Sequence, residues 1–161
     1  MQTIICMKWG TRYNSNYVNR IYRSILKNCR RPTRLICFTD DKSQINENII
    51  CKSLPDINLP KEISFTPWRK LSIWQYPLEG IKDDVLFLDL DLVITGNLDR
   101  FFDFKPGNYC VIENWTQIGK NIGNTSCFRI PIGKYNSVFK KFQKEPKKFW
   151  KKYHIEQIYL S

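Results

Sequence analysis

The chain has 161 residues, a length that favours one domain over several. Hydrophobic residues make up 42% and charged residues 25%, which is typical of a folded globular chain and excludes a disordered one. Lysine and arginine outnumber the acidic residues by 26 to 15, so the net charge is +11 and a partner or substrate with negative charge is expected.

The N-terminus and the cysteines indicate the compartment. The sequence has no apolar run of about 18 residues that would span a membrane, and its N-terminus lacks the pattern of a signal peptide. The six cysteines lie far apart and form no C-x-x-C pair, which favours reduced thiols in the core over a zinc site or a disulfide framework. We therefore expect a cytoplasmic protein.

The first third of the chain alternates short apolar runs with one amphipathic segment. Residues 3–7, 34–39 and 49–54 are predicted strands, and residues 16–28 repeat apolar positions at helical spacing. Ser15 or Asn16 is the expected N-cap of that helix. This order of elements predicts an α/β fold with a parallel central sheet.

The rest of the chain contains the most apolar strand. A loop with three prolines leads to a predicted helix over residues 68–76, which Pro77 ends. Residues 85–88 are wholly apolar, as in a central strand buried on both faces, and a second apolar stretch follows at 92–94. Two further strands are predicted at 108–113 and 124–130, with helices after Gly133.

Two carboxylates directly follow the apolar strand. Residues 85–94 read VLFLDLDLVI, so Asp89 and Asp91 come where the strand ends. Ligands of α/β sheets bind beyond the carboxyl ends of the strands, and acids two residues apart share one face of an extended segment. Carboxylate oxygens suit Mg²⁺ or Mn²⁺, which completes its shell with substrate phosphates and water. The pair predicts a divalent-metal site; two strand-end acids that make caps are the alternative.

Residues 134–152 hold most of the net positive charge, with eight lysines and one glutamate. Apolar residues recur among them at helical spacing. One interpretation is a pair of helices with their lysines in solvent. The other is contact with an anionic membrane surface or a polyanion, which would make the protein peripheral at a membrane.

Two other functions are open at this point. A basic chain with 23 aromatic residues is a candidate nucleic-acid-binding protein, but it has no RNP-type motif and no recognition-helix pattern, so no nucleic acid is expected. The run around Asp89 also resembles the D-x-D-x-[T/V] motif of haloacid dehalogenase phosphatases, where the first Asp is the nucleophile and the second an acid/base. Those enzymes need a later acidic pair for Mg²⁺, and no aspartate follows Asp103.

Several segments, in order and at approximate spacing, resemble small metal-dependent glycosyltransferases of the GT-A fold, including glycosyltransferase family 8. The resemblance covers most of residues 3–160, and only the D-x-D run is specific by itself. The matching segments are MKWGTRY at 7–13, CFTDD at 37–41, PWRKL at 67–71, NTSCF at 124–128 and EQ at 156–157, where such proteins often carry Asp-Gln.

The resemblance implies one α/β, GT-A-like domain over residues 1–161, with a mostly parallel central sheet flanked by helices. It implies that Asp89 and Asp91 hold Mn²⁺ or Mg²⁺ against the diphosphate of a nucleotide-sugar donor, with a UDP-sugar expected. The chain stops at Ser161 where a further segment is expected, so a truncated or minimal domain is one interpretation.

The implied donor site combines aromatic, cationic and polar side chains. Aromatic rings would stack on the nucleobase, although each ring also suits the core. A lysine would neutralise phosphate or position Asp89, and the polar residues would hold sugar hydroxyls or form a turn. The donor-binding residues expected are Trp9, Gly10, Tyr13, Tyr17, Lys70, Leu90, Asn124 and Ser126.

Glu156 and Gln157 are the expected catalytic residues. Glu156 would accept the proton of the acceptor hydroxyl in an inverting enzyme, whereas Gln157 would face the reacting carbon in a retaining one. His154, the only histidine, precedes this pair, which is not the usual order for a third metal ligand. The predicted function is transfer of a sugar from a nucleotide-diphosphate sugar to a hydroxyl of a glycan or other acceptor.

Overall fold

The computed structural model describes all 161 residues, and six strands form one sheet. The strands are β1 (Gln2–Lys8), β2 (Thr33–Thr39), β3 (Ile50–Lys52), β4 (Asp84–Leu88), β5 (Cys110–Glu113) and β6 (Gly123–Pro131). Their order in the sheet is β3-β2-β1-β4-β6-β5. The strands β1 to β4 pair in parallel, and β6 runs antiparallel to both β4 and β5. The predicted α/β fold with a mostly parallel sheet is confirmed.

Helices flank this sheet. They are α1 (Ser15–Asn28), α2 (Asp99–Asp103), α3 (Asn136–Lys144), α4 (Pro146–Tyr153) and α5 (Glu156–Tyr159), with 3₁₀ helices at Lys61–Ile63 and Pro67–Trp74. The cap of α1 lies just before the predicted position, because the side chain of Asn14 accepts a hydrogen bond from the Asn16 N–H at 3.1 Å. None of these helices combines the length and the apolar character that a membrane crossing requires.

Two predicted elements differ from the structure in type or in length. The helix expected over 68–76 is the 3₁₀ helix Pro67–Trp74, where i→i+3 bonds such as Gln75 N–H to Ser72 O (3.4 Å) tighten the turns. The third strand is only three residues long. The apolar stretch 92–94 is irregular, and Val93 is 83% exposed. Leu92 and Ile94 on either side of Val93 are half-buried and pack against the core.

The sheet separates two apolar layers, because alternate residues of each strand face opposite sides. On one side, Ile4 and Cys6 of β1 pack with the buried face of α1. On the other side, Ile5 of β1 packs with Phe87 of β4 and with Trp68 of the 3₁₀ helix. Burial on both faces explains the unbroken apolar run of β4.

Strand pairing brings three chain segments to one edge of the sheet. The parallel register Ile5↔Phe87 places the loop after β1 beside the residues that follow β4. The antiparallel register Leu88↔Cys127 brings the first half of β6 to the same edge, where the Asp89 N–H donates to the carbonyl of Ser126 at 2.8 Å. Side chains from all three segments therefore surround the carboxyl end of β4.

Candidate functional site

A cavity of about 550 Å³ opens at the carboxyl ends of β1 and β4. Of the twelve residues predicted for the site, seven line this cavity and five do not. The seven are Trp9, Gly10, Tyr13, Lys70, Asp89, Leu90 and Asp91. The five outside its lining are Tyr17, Asn124, Ser126, Glu156 and Gln157.

Asp89 is the inner of the two acids. Its Oδ2 lies 2.7 Å from Nζ of Lys70, and its side chain is 24% exposed. Burial raises the pKa of Asp89, and the neighbouring ammonium of Lys70 opposes that rise. The carboxyl is therefore held in place by a cation while one side of it still faces the cavity.

Asp91 is the outer acid and is exposed. Its Oδ2 accepts a hydrogen bond from the hydroxyl of Tyr13 at 2.7 Å, and this bond raises the pKa of Tyr13. The ring of Tyr17 contacts that of Tyr13 edge-on, with 4.8 Å between the ring centres. Tyr17 thus supports Tyr13 from outside the cavity lining.

A turn, rather than the extended segment expected, joins the two acids. Leu90 between them is 3% exposed, and its burial anchors the turn in the core below α1. Asp89 and Asp91 nevertheless line the same cavity. A turn, and not a shared face of an extended segment, therefore brings the two acids to one cavity.

The loop after β1 forms another wall. Gly10 has φ +61°, a conformation that costs an ordinary residue about 1 kcal/mol. Its N–H donates to Oδ2 of Asp40 at 2.8 Å, which ties the loop to the end of β2. Trp9 beside it is half-buried and packs against the core.

Lys70 connects Asp89 to a buried carboxylate deeper in the protein. Its Nζ donates to the carbonyl of Thr125 at 3.2 Å and lies 3.8 Å from Oε1 of Glu156. The hydroxyl of Thr125 donates to the same Oε1 at 2.7 Å. Glu156 is 5% exposed, so the structure places it behind Lys70.

The remaining predicted residues lie near the start of β6 and the C-terminus. Asn124 is half-buried, and its side chain accepts from the N–H of Ser126 at 2.9 Å. Gln157 is half-buried, and its carbonyl accepts from the hydroxyl of Ser161 at 2.5 Å. The side chain of His154 is exposed, while its carbonyl accepts from Nε1 of Trp68 at 3.3 Å. Their predicted roles stay predictions.

Sequence reasoning missed two residues that matter here. Phe65 lines the cavity and is 81% exposed, but nothing in the proline-rich loop marked it. Thr125, within the segment 124–128, was expected to hold sugar hydroxyls or to form a turn, whereas it is 1% exposed and bonds to Glu156. Partners 31 positions apart in the chain leave no local pattern in the sequence.

The carboxylates of the cavity suit only one mode of metal binding. No group of three or more His, Cys, Asp or Glu side chains converges in a way that could hold a metal ion. Asp89 and Asp91 are two hard oxygen ligands on one open cavity. Mg²⁺ is commonly bound by one or two carboxylates together with substrate phosphates and water. The residues therefore fit a cation that is shared with a phosphate ligand, and not one held by protein alone.

The lysine-rich segment forms α3 and α4, away from the cavity lining. All eight of its lysines are exposed, and Lys148 pairs with Glu145 at 3.1 Å. The aromatic residues Phe149, Trp150 and Tyr153 pack against the core. This arrangement matches solvated lysines above a buried apolar side, and the membrane contact stays a prediction.

Several solved glycosyltransferases share the architecture. The galactosyltransferase LgtC, in complex with donor and acceptor sugar analogues, aligns with a TM-score of 0.63 and 16% identity over 94% of this chain and 66% of that one. The glycosyltransferase GlyE of Streptococcus pneumoniae TIGR4 aligns with a TM-score of 0.63 and 17% identity over 99% of this chain and 43% of that one. The apo form of GlyE aligns with a TM-score of 0.61 and 17% identity over 95% of this chain and 39% of that one.

The chain has a GT-A-like glycosyltransferase fold. This confirms the fold that the resemblance implied. No protein-family model and no curated protein sequence matches the chain. The chain spans 39% to 66% of the length of the three structures above.

Proposed function

We propose that this domain transfers a sugar from a nucleotide-diphosphate sugar, with UDP as the expected nucleotide, to a hydroxyl of a glycan or other acceptor. One observation carries the proposal: Asp89 and Asp91 line a single cavity at the carboxyl end of β4 in a glycosyltransferase fold. LgtC, of similar fold, was solved with donor and acceptor sugar analogues, which supports a donor and an acceptor of these classes.

Asp89 and Asp91 would hold the divalent cation, Mn²⁺ or Mg²⁺. When bound there, the cation would offset the negative charge that develops on the diphosphate as the sugar leaves. The protein's own contribution is to fix the two carboxylates. Lys70 holds Asp89 at 2.7 Å, and Tyr13 holds Asp91 at 2.7 Å, so that each acid has one oxygen fixed by a donor.

Lys70 would also attract the diphosphate directly. Lys70 lines the cavity with 5% of its side chain exposed, and a positive charge that is partly shielded from water attracts a phosphate more strongly than one in bulk solvent. Thr125 and Glu156 hold the ammonium from behind. In this arrangement Glu156 supports Lys70, and its action as a base stays a prediction.

The loop after β1 would receive the nucleoside. Trp9 and Tyr13 are aromatic residues of the cavity lining that would stack on a base, and Gly10 would let a ligand approach the backbone closely. With its base bound at this loop, the nucleotide would extend its diphosphate towards Asp89 and Asp91.

A thermal-shift panel of nucleoside diphosphates, with and without Mn²⁺, tests the proposal. Wild-type protein should gain melting temperature from UDP only when Mn²⁺ is present, because a ligand that binds the folded state stabilises it. Asp91→Asn should lose this gain while folding normally, since Asp91 is exposed and makes one hydrogen bond. Asp56→Asn, a change at an exposed aspartate outside the cavity, is the matched control. Equal shifts in wild type and Asp91→Asn would refute the metal assignment.

A further inference from the structure

The most exposed aromatic side chain of the protein stands at the cavity. Phe65 is 81% exposed, compared with 64% for Trp115 and 60% for Phe104. It lines the cavity that also holds Asp89 and Asp91. A ring this exposed adds little to the stability of the fold, because the hydrophobic contribution follows the apolar area that is buried.

The backbone around Phe65 is nevertheless fixed. The N–H and hydroxyl of Thr66 both bond to the carbonyl of Ile63, at 3.1 and 2.7 Å. Ile63 is 3% exposed, and Trp68 on the other side of Phe65 is 1% exposed. The ring is therefore held out at the cavity between two buried anchors and does not belong to a loose loop.

Opposite Phe65 lies the loop after β1. A Cβ on Gly10 would lie 3.9 Å from Cδ1 of Phe65, an ordinary van der Waals distance, so the edge of the ring comes close to this loop. The lining of the cavity combines aromatic residues, Phe65 and Trp9 among them, with charged residues, among them Lys70 and the two acids. A ligand that has both a flat face and a phosphate group would match these two kinds of lining residue.

We propose that Phe65 is a ligand-binding residue that stacks on the nucleobase of the bound nucleotide. This inference rests on the proposed function, and it adds to the base-binding site a residue that the sequence analysis did not predict. Stacking on an aromatic ring suits any base, because each base has a π face. In this proposal Phe65 is exposed in the ligand-free protein because the nucleobase is its packing partner.

The test is isothermal titration of Phe65→Ala with UDP and, separately, with pyrophosphate, both in the presence of Mn²⁺. We expect UDP to bind about tenfold more weakly than to wild type, in line with the usual contribution of one aromatic stack. Pyrophosphate, which has no base, should bind equally to both proteins. Phe65→Tyr should restore UDP affinity, and Phe104→Ala, at an exposed phenylalanine outside this cavity, should change nothing.

Each result decides the matter. UDP affinity of Phe65→Ala within about twofold of wild type overturns the inference and leaves the proposed function standing. Equal losses for UDP and pyrophosphate, or a lower melting temperature in Phe65→Ala than in Phe104→Ala, also overturn it, because Phe65 then acts through the structure. If wild-type protein binds no UDP, the proposed function fails, and this inference fails with it.

Discussion

Lys70 links the candidate site to the stability of the protein. Its side chain is 5% exposed, and its Nζ lies 2.7 Å from Asp89 Oδ2 and 3.8 Å from Glu156 Oε1. Lys70→Met keeps the aliphatic stem and removes the charge. The substitution leaves two carboxylates near each other without their cation, so we expect the free energy of unfolding to fall.

The magnitude follows from burial. Removing one partner of a buried ion pair costs about 3–5 kcal/mol. Asp89 keeps 24% of its side chain exposed, so solvent compensates in part and about 3 kcal/mol is expected. For a chain of this length each kcal/mol corresponds to about 2–4 °C, so the melting temperature should fall by about 6–12 °C.

The loss should depend on pH through Asp89. Burial already raises the pKa of Asp89, and without Lys70 the pKa rises further. Such an acid keeps its proton in the folded state at a pH where the unfolded chain has released it, so stability decreases as the pH rises through this interval. The deficit of Lys70→Met is therefore largest above the folded-state pKa of Asp89 and shrinks as acid protonates the carboxyl.

The assay is urea unfolding followed by tryptophan fluorescence, in chelator, at about pH 7 and about pH 4.5. Lys148→Met is the matched control, because Lys148 is 69% exposed and its pair with Glu145 is a surface pair that contributes little. A Lys70→Met protein within about 1 kcal/mol of wild type at neutral pH would refute the reasoning. So would a deficit that grows on acidification.

Two neighbouring hydrogen bonds give further predictions. Because the bond from Tyr13 to Asp91 raises the pKa of Tyr13, Asp91→Asn should lower it towards its ordinary value of 10.0, as followed by NMR titration of labelled tyrosines. An unchanged titration would contradict that bond. Thr125→Val removes the donor 2.7 Å from buried Glu156 and should cost about 1.5–3 kcal/mol in urea unfolding, whereas Thr125→Ser should keep most of the stability. Equal losses in both variants would contradict this, because the hydroxyl would then contribute no more than the methyl group.

The central part of the fold could be predicted from local pattern. The unbroken apolar run at 85–88 predicts a strand that is buried on both faces. In the structure this run is β4, which lies in the middle of the sheet. Acids that directly follow such a strand must emerge at the edge of the sheet. That is why Asp89 and Asp91 could be assigned to a common site before the turn between them was known, and both line one cavity in the structure.

Long-range contacts could not be predicted in this way. The direction of β6 depends on its path after β5, and no residue within 124–130 encodes it. Lys70 and Glu156 meet only because the 3₁₀ helix Pro67–Trp74 and α5 pack together. Local pattern also does not reveal that Val93, an apolar residue, is exposed in a loop. The exposure of Phe65 could not be predicted either, because it depends on the tertiary structure around the residue.

The central claim is that Asp89 and Asp91 jointly hold a divalent cation against a nucleoside diphosphate. The most direct measurement is X-ray anomalous diffraction from crystals grown with Mn²⁺ and UDP. We predict an anomalous peak in coordination contact with both carboxylates and with the diphosphate of UDP. UDP bound in the cavity with no peak at either carboxylate, or a peak and UDP elsewhere on the protein, would contradict the account.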